Sequence, residues 1–302
     1  MPAKVIAIAN QKGGVGKTTT SVNLAACLAD HGLSTLLVDC DPQANATSAV
    51  GMPKIEGVSI FDGLTGEAPL QEQVRETAFP KLFLLPAERN LASAEIAVAR
   101  MDDYLQRLQL AMLPLKNCPD YDYILIDCPP SVGVLMMNAI AAADTILIPI
   151  QCEFFSLEGL GSMLETIEQI KSSGANPALE LEGIVMTMYD PRTNLSQQVM
   201  DEVRKHFGEK VYQTPIPRSV RLSEAPSHGR PIIHYDRNNA GCLAYEAVCQ
   251  EFLQRQARQI RFVNGTQDTR GEAAMAAPED HASAPDVILT PPESIHVETP
   301  PQ

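Results

Sequence analysis

A glycine-rich segment near the start of the chain has the residue types of a phosphate-binding loop. Gly13, Gly14 and Gly16 follow an apolar stretch, and Lys17 and Thr18 open a segment of helical periodicity. Glycines allow backbone angles that let successive N–H groups converge on an anion, and the positive end of the next helix adds to that attraction. The segment predicts a nucleotide site in which Lys17 neutralises the β and γ phosphates and the Thr18 hydroxyl ligates Mg²⁺.

The spacing departs from the common Gly-x-x-x-x-Gly-Lys-Thr pattern. Gln11 occupies the first glycine position, and a second lysine, Lys12, precedes the glycines. A glycine-rich turn that binds nothing would leave a lysine and three consecutive threonines unexplained. The loop therefore predicts a set of nucleotide-binding residues: Gly13, Gly14, Val15, Gly16, Lys17, Thr18 and Thr19.

Acidic side chains end two predicted strands. Asp39 and Asp41 follow one apolar run and Asp127 follows another, so in a parallel sheet all three emerge at the edge that carries the phosphate loop. Asp127 suits an anchor for metal-bound water. Asp41 needs only to hold the attacking water in line with the γ phosphate, so it is predicted to belong to the metal site and to act in catalysis. Strand-terminal aspartates also cap turns and helices, and this alternative stays open, above all for Asp39.

The elements that must position these residues alternate along the chain. Apolar runs predict buried strands over residues 5–9, 35–38, 82–85, 123–126, 145–150 and 183–188. Helical periodicity covers residues 17–30, 91–113, 132–143, 157–172, 195–207 and 240–258, with Gly32 and Gly174 as expected helix ends. The alternation predicts an α/β fold with a doubly wound, mostly parallel sheet flanked by helices, and ligands at the carboxyl ends of its strands.

Composition sets limits on the class of protein. The chain has 302 residues, a net charge of −14 and no apolar stretch long enough to span a bilayer, so a cytoplasmic protein without a stable membrane anchor is expected. Seven cysteines without a Cys-x-x-Cys pair are expected to be reduced packing residues. Residues 192–261 carry eleven bases against seven acids, whereas the proline-broken, acidic residues 263–302 predict a disordered tail after a domain over residues 1–262.

Several segments together resemble one family. Residues 12–20 are similar to the deviant Walker A motif of the ParA/MinD P-loop NTPases, residues 38–45 to their second acidic motif, and residues 124–130 to their Walker B strand. Residues 149–153, 186–194 and 218–229 resemble the Soj/ParA chromosome-partitioning branch. The resemblance covers about residues 3–260 and excludes the tail.

This resemblance implies an ATPase switch that uses ATP and Mg²⁺. Lys12 would cross the interface of an ATP-bound homodimer, and Lys12, Lys17 and Asp41 would act in catalysis. Adenine contacts would come from two loops that contain Met188, Pro191, Pro215 and Pro217.

The family also implies its partners. The dimer would bind non-specific double-stranded DNA at the nucleoid, and a ParB-like centromere-binding protein would stimulate hydrolysis to segregate chromosome or plasmid origin regions. The arginines expected to contact DNA phosphates are Arg192, Arg218, Arg221 and Arg230.

Other classes remain as alternatives. One is a ParA-like ATPase that positions a protein cargo, and another is a MinD-like division-site regulator, which needs a terminal amphipathic helix with a basic rim. An ATP-dependent carboxylase of the same clan needs a motif for a second substrate, and an iron–sulfur carrier needs paired exposed cysteines. The sequence shows neither of these last two features.

Overall fold

The computed structural model describes residues 2–153 and 156–272. A seven-stranded sheet forms the centre of this part of the chain, and its strands are β1 (Lys4–Ile8), β2 (Thr35–Asp39), β3 (Arg75–Glu76), β4 (Leu82–Leu85), β5 (Tyr123–Asp127), β6 (Thr145–Gln151) and β7 (Glu180–Thr187). The strand order is β3-β4-β2-β5-β1-β6-β7, and every pairing except the antiparallel β3–β4 is parallel. The predicted doubly wound α/β class is confirmed.

Helices connect the strands and cover the sheet. Their bounds are α1 (Lys17–Asp30), α2 (Asn45–Ala49), α3 (Phe61–Thr65), α4 (Ala94–Val98), α5 (Arg107–Lys116), α6 (Val134–Ala142), α7 (Ser156–Ser172), α8 (Asn194–Phe207), α9 (Val220–Glu224), α10 (Ile232–Tyr235) and α11 (Ala240–Glu272). Four short 3₁₀ turns in the described chain cover Leu70–Gln73, Arg89–Ser93, Gly208–Lys210 and Ala225–His228. Gly32 and Gly174 follow helices α1 and α7 in the left-handed conformation, as predicted.

The central strands are buried on both faces, which explains their continuous apolar sequences. All five residues of β2 are buried, as are the last four of β1 and of β5. Such strands need helices on both sides, and the crossover helices supply them. The six predicted strands are present, but β3 was not predicted because two residues, both charged, give no apolar pattern.

The sheet register brings the functional segments to one edge. Asp39 at the end of β2 and Ile8 at the end of β1 are both in register with Asp127 at the end of β5. Strand β1 lies between β5 and β6, where the chain connections leave in opposite directions. Parallel sheets bind ligands at such a switch point, and the segment after Ile8 is the glycine-rich loop.

The single helix predicted over residues 91–113 is wrong. The chain forms a 3₁₀ turn and α4, and then turns before α5 begins at Arg107. Asn138 of α6 fixes this break, because its Oδ1 accepts a hydrogen bond from Leu108 N at 3.0 Å and its Nδ2 donates to Tyr104 O at 2.6 Å. Local periodicity could not reveal a break that a distant side chain satisfies.

The last helix is longer than its predicted range of 240–258. Helix α11 ends at Glu272, and so it includes the first ten residues of the segment assigned to the tail, in which Pro278 is the first proline. The chain divides into two compact units, Met1–Phe252 and Leu253–Gln302. Residues 273–302 lie outside the described part, so a domain over residues 1–262 followed by a disordered tail stays a prediction.

Candidate nucleotide site

The phosphate loop, residues 11–17, connects β1 to α1. Gly14 and Gly16 have φ angles of 74° and 90°, a backbone region that residues with a Cβ rarely adopt. Lys12 N donates to Asn10 Oδ1 at 2.9 Å, and the Lys17 ammonium donates to Lys12 O at 3.1 Å. The loop therefore wraps around the Lys17 side chain. The N–H groups at the start of the 14-residue helix α1 are available to an anion.

Lys17 is buried at the base of this loop. Burial lowers the pKa of its ammonium, and the negative charges of Asp127 and Asp41 act in the opposite direction. A buried cation with only partial compensation attracts an anion strongly. The phosphates of a nucleotide would supply the negative charge that the surroundings of Lys17 lack.

Asp127 is fully buried beside the start of α1. Its Oδ1 accepts a hydrogen bond from Ser21 Oγ at 2.8 Å, and the Thr18 hydroxyl lies near this carboxylate. Its Oδ2 is buried without any hydrogen-bond partner in the described chain. Burial, together with the charge of Asp39, raises the pKa of this carboxyl group, and the hydrogen bond from Ser21 and the nearby Thr18 hydroxyl oppose that rise. An unsatisfied buried oxygen next to Thr18 is what a metal-bound water would satisfy.

The arrangement fits a nucleotide-bound Mg²⁺. Among the described side chains of residues 2–153 and 156–258, no group of three or more His, Cys, Asp or Glu residues could hold a metal ion by itself. Mg²⁺ commonly takes few protein ligands and completes its octahedron with phosphate oxygens and water. Thr18 would supply the protein oxygen, and Asp127 would orient a water of the shell.

The two aspartates that follow β2 have different roles in the structure. Asp39 is fully buried, and its Oδ2 accepts hydrogen bonds from both the backbone N and the hydroxyl of Thr47 at 2.7 Å, while its Oδ1 accepts from Asp41 N at 3.2 Å. These hydrogen bonds hold α2 and the turn that carries Asp41 in place. Asp39 therefore caps a turn and a helix, which is the alternative that the sequence left open. Burial raises the pKa of Asp39.

Asp41 is buried close enough to Lys17 to interact with its charge, and its Oδ1 accepts a hydrogen bond from Gln43 N at 2.8 Å. That contact fixes the carboxylate in the turn after β2. The position suits a group that holds water near the terminal phosphate.

Lys12 lies at the exposed side of the loop. Its ammonium forms an ion pair with Glu153 at 3.3 Å, and both side chains are partly exposed to solvent. The ammonium group of Lys17 interacts with the charges of Asp127 and Asp41, whereas that of Lys12 pairs with a carboxylate that follows β6. The two lysines of the loop therefore face different surroundings.

A cleft of about 180 Å³ adjoins the loop. The predicted adenine contacts Met188 and Pro217 line it, whereas Pro191 and Pro215 lie on the same two loops outside its lining. These loops are joined by hydrogen bonds from Tyr189 N to Ile216 O at 3.0 Å and from Arg218 N to Tyr189 O at 3.1 Å. Gly16 and Thr19 complete the wall on the side of the phosphate loop.

The four arginines predicted to bind DNA differ in their contacts, although Arg192 and Arg218 both act on Asp190. Arg192 is held by Asp190 at 2.7 Å, and this contact lowers the pKa of the aspartate to about 2. Arg221 pairs with Glu224 at 3.0 Å. Arg218 lines the 180 Å³ cleft, and Arg230 lines a neighbouring cavity of about 330 Å³ that reaches Thr18.

Several residues that shape the site were not predicted from the sequence. Ser21 lies one helical turn after Lys17, so the helical period could have placed it on the same face. Thr187 and Gln151 contact the phosphate loop from β7 and β6, and Glu153 holds Lys12; long-range contacts of this kind leave no local signal.

The remaining expectations concern cysteines and membranes. All seven cysteines are free, and all except Cys118 are buried. Burial raises the pKa of the Cys152 thiol to about 12 and that of Cys242 to about 11, so both are protonated and unreactive near neutral pH. In the described part of the chain, every helix is too short or too polar to traverse a bilayer.

Comparison with known proteins identifies relatives along most of the chain. The AAA_31 family, described as an AAA domain, matches residues 3–181. The chain is 46% identical to the chromosome partitioning protein ParA of Caulobacter vibrioides over 84% of its own length and 96% of that protein. It is 49% identical to the sporulation initiation inhibitor protein Soj of Bacillus subtilis over 82% of its length and 97% of that protein.

A solved structure supports the nucleotide chemistry of the site. The cobyrinic acid a,c-diamide synthase of Mycobacterium smegmatis, with bound ADP and magnesium, has a TM-score of 0.73 and 34% identity. The match covers 84% of this chain and 96% of that one. With the relatives above and the geometry of Lys17, Thr18 and Asp127, it follows that the chain belongs to the ParA/Soj family of chromosome-partitioning P-loop ATPases, which use ATP and Mg²⁺.

Proposed function

We propose that this ATPase is an ATP-controlled switch for partitioning DNA. ATP binding drives a twofold homodimer, the dimer binds double-stranded DNA without sequence preference, and a ParB-like centromere-binding protein stimulates hydrolysis and release. Repetition of this cycle moves chromosome or plasmid origin regions in the cytoplasm, at the nucleoid. The names of the relatives from Caulobacter and Bacillus support the partitioning role.

The position of Lys12 carries the dimer proposal. Its ammonium contacts Glu153 on the exposed side of the phosphate loop, outside the group formed by Lys17, Asp41 and Asp127. An exposed ion pair of this kind contributes at most about 1 kcal/mol, so a triphosphate on a second subunit can displace Glu153. A lysine that acts in trans makes each site depend on the other subunit and requires a closed, symmetric dimer.

The arginine-bearing segment supports the DNA proposal. Residues 192–261 carry a charge of +4, although the whole chain is strongly acidic. Arg192 and Arg221 are 85% and 53% exposed and pair with nearby carboxylates. Because exposed pairs are weak, DNA phosphates can compete for both guanidinium groups, with an affinity that falls as salt rises.

A backbone contact offers a route from the nucleotide site to these arginines. Thr47 of helix α2 is hydrogen-bonded to Asp39, which lies two residues before Asp41 in the chain. Gly51 follows the end of α2. A Cβ on Gly51 would lie 2.9 Å from Gly229 O, so the two backbones touch. Gly229 directly precedes Arg230, and we infer that movement of the Asp41 turn is passed to the DNA-binding segment through this contact.

DNA-binding measurements test the proposal. Fluorescence anisotropy with a random-sequence duplex is expected to show binding with a non-hydrolysable ATP analogue and little binding with ADP. Arg192→Ala/Arg221→Ala should weaken binding and reduce the slope of log K against log salt by about 2, whereas Arg75→Ala on the opposite edge strand should leave both unchanged. An unchanged slope in the double variant would exclude this surface.

The cargo needs a separate measurement. Phosphate release by the full chain should rise when DNA and a ParB-like protein are both present. Stimulation by a different partner, with no effect of the ParB-like protein, would favour the protein-positioning alternative. Stimulation by anionic vesicles in place of DNA would favour a MinD-like regulator.

A further inference from the structure

Two side chains from neighbouring strands hold the carbonyl groups of the phosphate loop. Thr187 Oγ1 lies 2.8 Å from Val15 O and 3.0 Å from Ile150 O, so one hydroxyl proton serves two carbonyls. Gln151 Nε2 donates to Gly14 O at 3.1 Å. Thr187 is only 2% exposed and Gln151 is half-buried. The contacts come from β7 and β6, more than 130 residues away in sequence.

Peptide geometry gives these contacts a consequence for anion binding. In a planar trans peptide, the carbonyl and the N–H of the next residue point in opposite directions. When the carbonyls of Gly14 and Val15 face the two strands, the N–H groups of Val15 and Gly16 face away from them. Gly14 and Gly16 adopt positive φ angles, so without an external contact this glycine-rich loop could rotate its peptides at little cost.

We propose that Thr187 and Gln151 are positioning residues for nucleotide binding. They fix the peptides that follow Gly14 and Val15 so that the N–H groups of the loop are directed towards the phosphates before ATP arrives. A loop held in its binding conformation avoids the entropy of ordering on association. The residues act through the backbone and do not themselves contact the reacting atoms.

Gln151 also connects the loop to the neighbouring cleft. The same Nε2 lies 3.0 Å from Met188 Sδ, and Met188 lines the 180 Å³ cleft beside Gly16. Met188 has a φ of 52°, which is unusual for a residue with a Cβ. The side-chain amide of Gln151 therefore contacts both the phosphate loop and Met188, which lines the cleft. We infer that it positions both of them.

Matched substitutions at Thr187 separate the hydroxyl from the shape of the side chain. Thr187→Val keeps the shape and leaves Val15 O without its partner, whereas Thr187→Ser keeps the hydroxyl. We expect Thr187→Val to raise the KM for ATP about fivefold to tenfold with kcat within about twofold, as loss of roughly one hydrogen bond implies. Thr187→Ser should restore the KM to within about twofold of the unmodified chain.

A control at the other end of the sheet accounts for general loss of stability. Thr145 is buried at the start of β6, and its hydroxyl donates to Glu182 at 2.9 Å. Thr145→Val should lower the melting temperature without raising the KM for ATP. An equal rise in KM in this control, or a Thr187→Ser protein that behaves like Thr187→Val, would reduce Thr187 to a structural residue and overturn its role.

Gln151→Leu tests the second contact independently, because a half-buried side chain tolerates this change. We expect its KM for ATP to rise severalfold, and its affinity for ADP, measured by calorimetry, to fall by a similar factor. A KM within twofold of the unmodified chain would overturn the role of Gln151. Should Thr187→Val fail to fold, Gln151→Leu decides the proposal by itself.

Discussion

Removing the charge of Asp127 should stabilise the nucleotide-free protein while it abolishes magnesium-dependent hydrolysis. The carboxylate is fully buried, one of its oxygens has no hydrogen-bond partner in the described chain, and Asp39 adds a second negative charge nearby. Lys17 compensates only in part, since burial lowers the pKa of the lysine despite this neighbour. In Asp127→Asn the amide oxygen can still accept the hydrogen bond from Ser21, so the main change is the charge.

The direction of the pH dependence follows from the raised pKa. Below about pH 3 the carboxyl group is mostly protonated in both the folded and unfolded chains, so its ionisation has little effect on stability. As pH rises past the ordinary value of 3.8, the unfolded chain ionises first, and the folded chain loses stability until its own raised pKa is passed. The difference between Asp127→Asn and the unmodified chain should therefore grow from pH 5 to pH 8.

The size of the effect can be bounded. One unit of pKa corresponds to about 1.4 kcal/mol, so relief of this charge should contribute at least ~1 kcal/mol at pH 8. For a domain of about 250 residues, that raises Tm by about 2–4 °C.

Thermal denaturation in EDTA, followed by circular dichroism, measures the effect. Glu182→Gln is a matched variant with the opposite expected effect on Tm. It removes a buried carboxylate that pairs with Lys4 at 2.7 Å, and so it should lower Tm. With MgATP present, the unmodified chain should gain Tm and release phosphate, while Asp127→Asn should lose most of both. A Tm that falls in Asp127→Asn at pH 8, or a difference that does not grow with pH, would refute the electrostatic reasoning.

Three further predictions concern separate parts of the site. Asp41→Ala should bind ATP but release phosphate at least about tenfold more slowly, and turnover like that of the unmodified chain would remove Asp41 from the reaction. Lys12→Ala should remain a monomer with ATP in sedimentation experiments, and an unchanged dimer would show that the lysine is not needed in trans. Gly229→Ala should lose more stability than the about 1–2 kcal/mol that a Cβ at a φ of 61° costs, because this Cβ would lie 2.7 Å from Gly51 Cα, and it should also weaken ATP-dependent DNA binding. Gly174→Ala is the control, because its φ is 79° but a Cβ there would meet nothing within 4 Å, so equal DNA binding in the two variants would argue against the contact with Gly51.

The sequence predicted the parts of the molecule that local pattern encodes. Buried parallel strands are continuous apolar runs, and a phosphate loop must be rich in glycine, so β2, β5 and the loop around Gly14 were foreseeable. The carboxyl ends of parallel strands share an edge, and from this rule alone Asp39, Asp41 and Asp127 are expected to lie close together.

Tertiary contacts account for what the sequence did not predict. The break before α5 depends on Asn138, and the pinning of the loop depends on Thr187, each from a distant part of the chain. The role of Asp39 was ambiguous because a strand-terminal aspartate can bind metal or cap a helix, and only the contact with Thr47 distinguishes them.

Binding of MgATP to the phosphate loop is the claim on which the rest depends. Isothermal titration calorimetry with a non-hydrolysable ATP analogue, in buffer with Mg²⁺, tests it most directly. We expect one nucleotide bound per chain, a large loss of affinity in Lys17→Ala, and weaker binding when EDTA replaces Mg²⁺. No binding by the unmodified chain, or equal affinity in Lys17→Ala, would contradict the account.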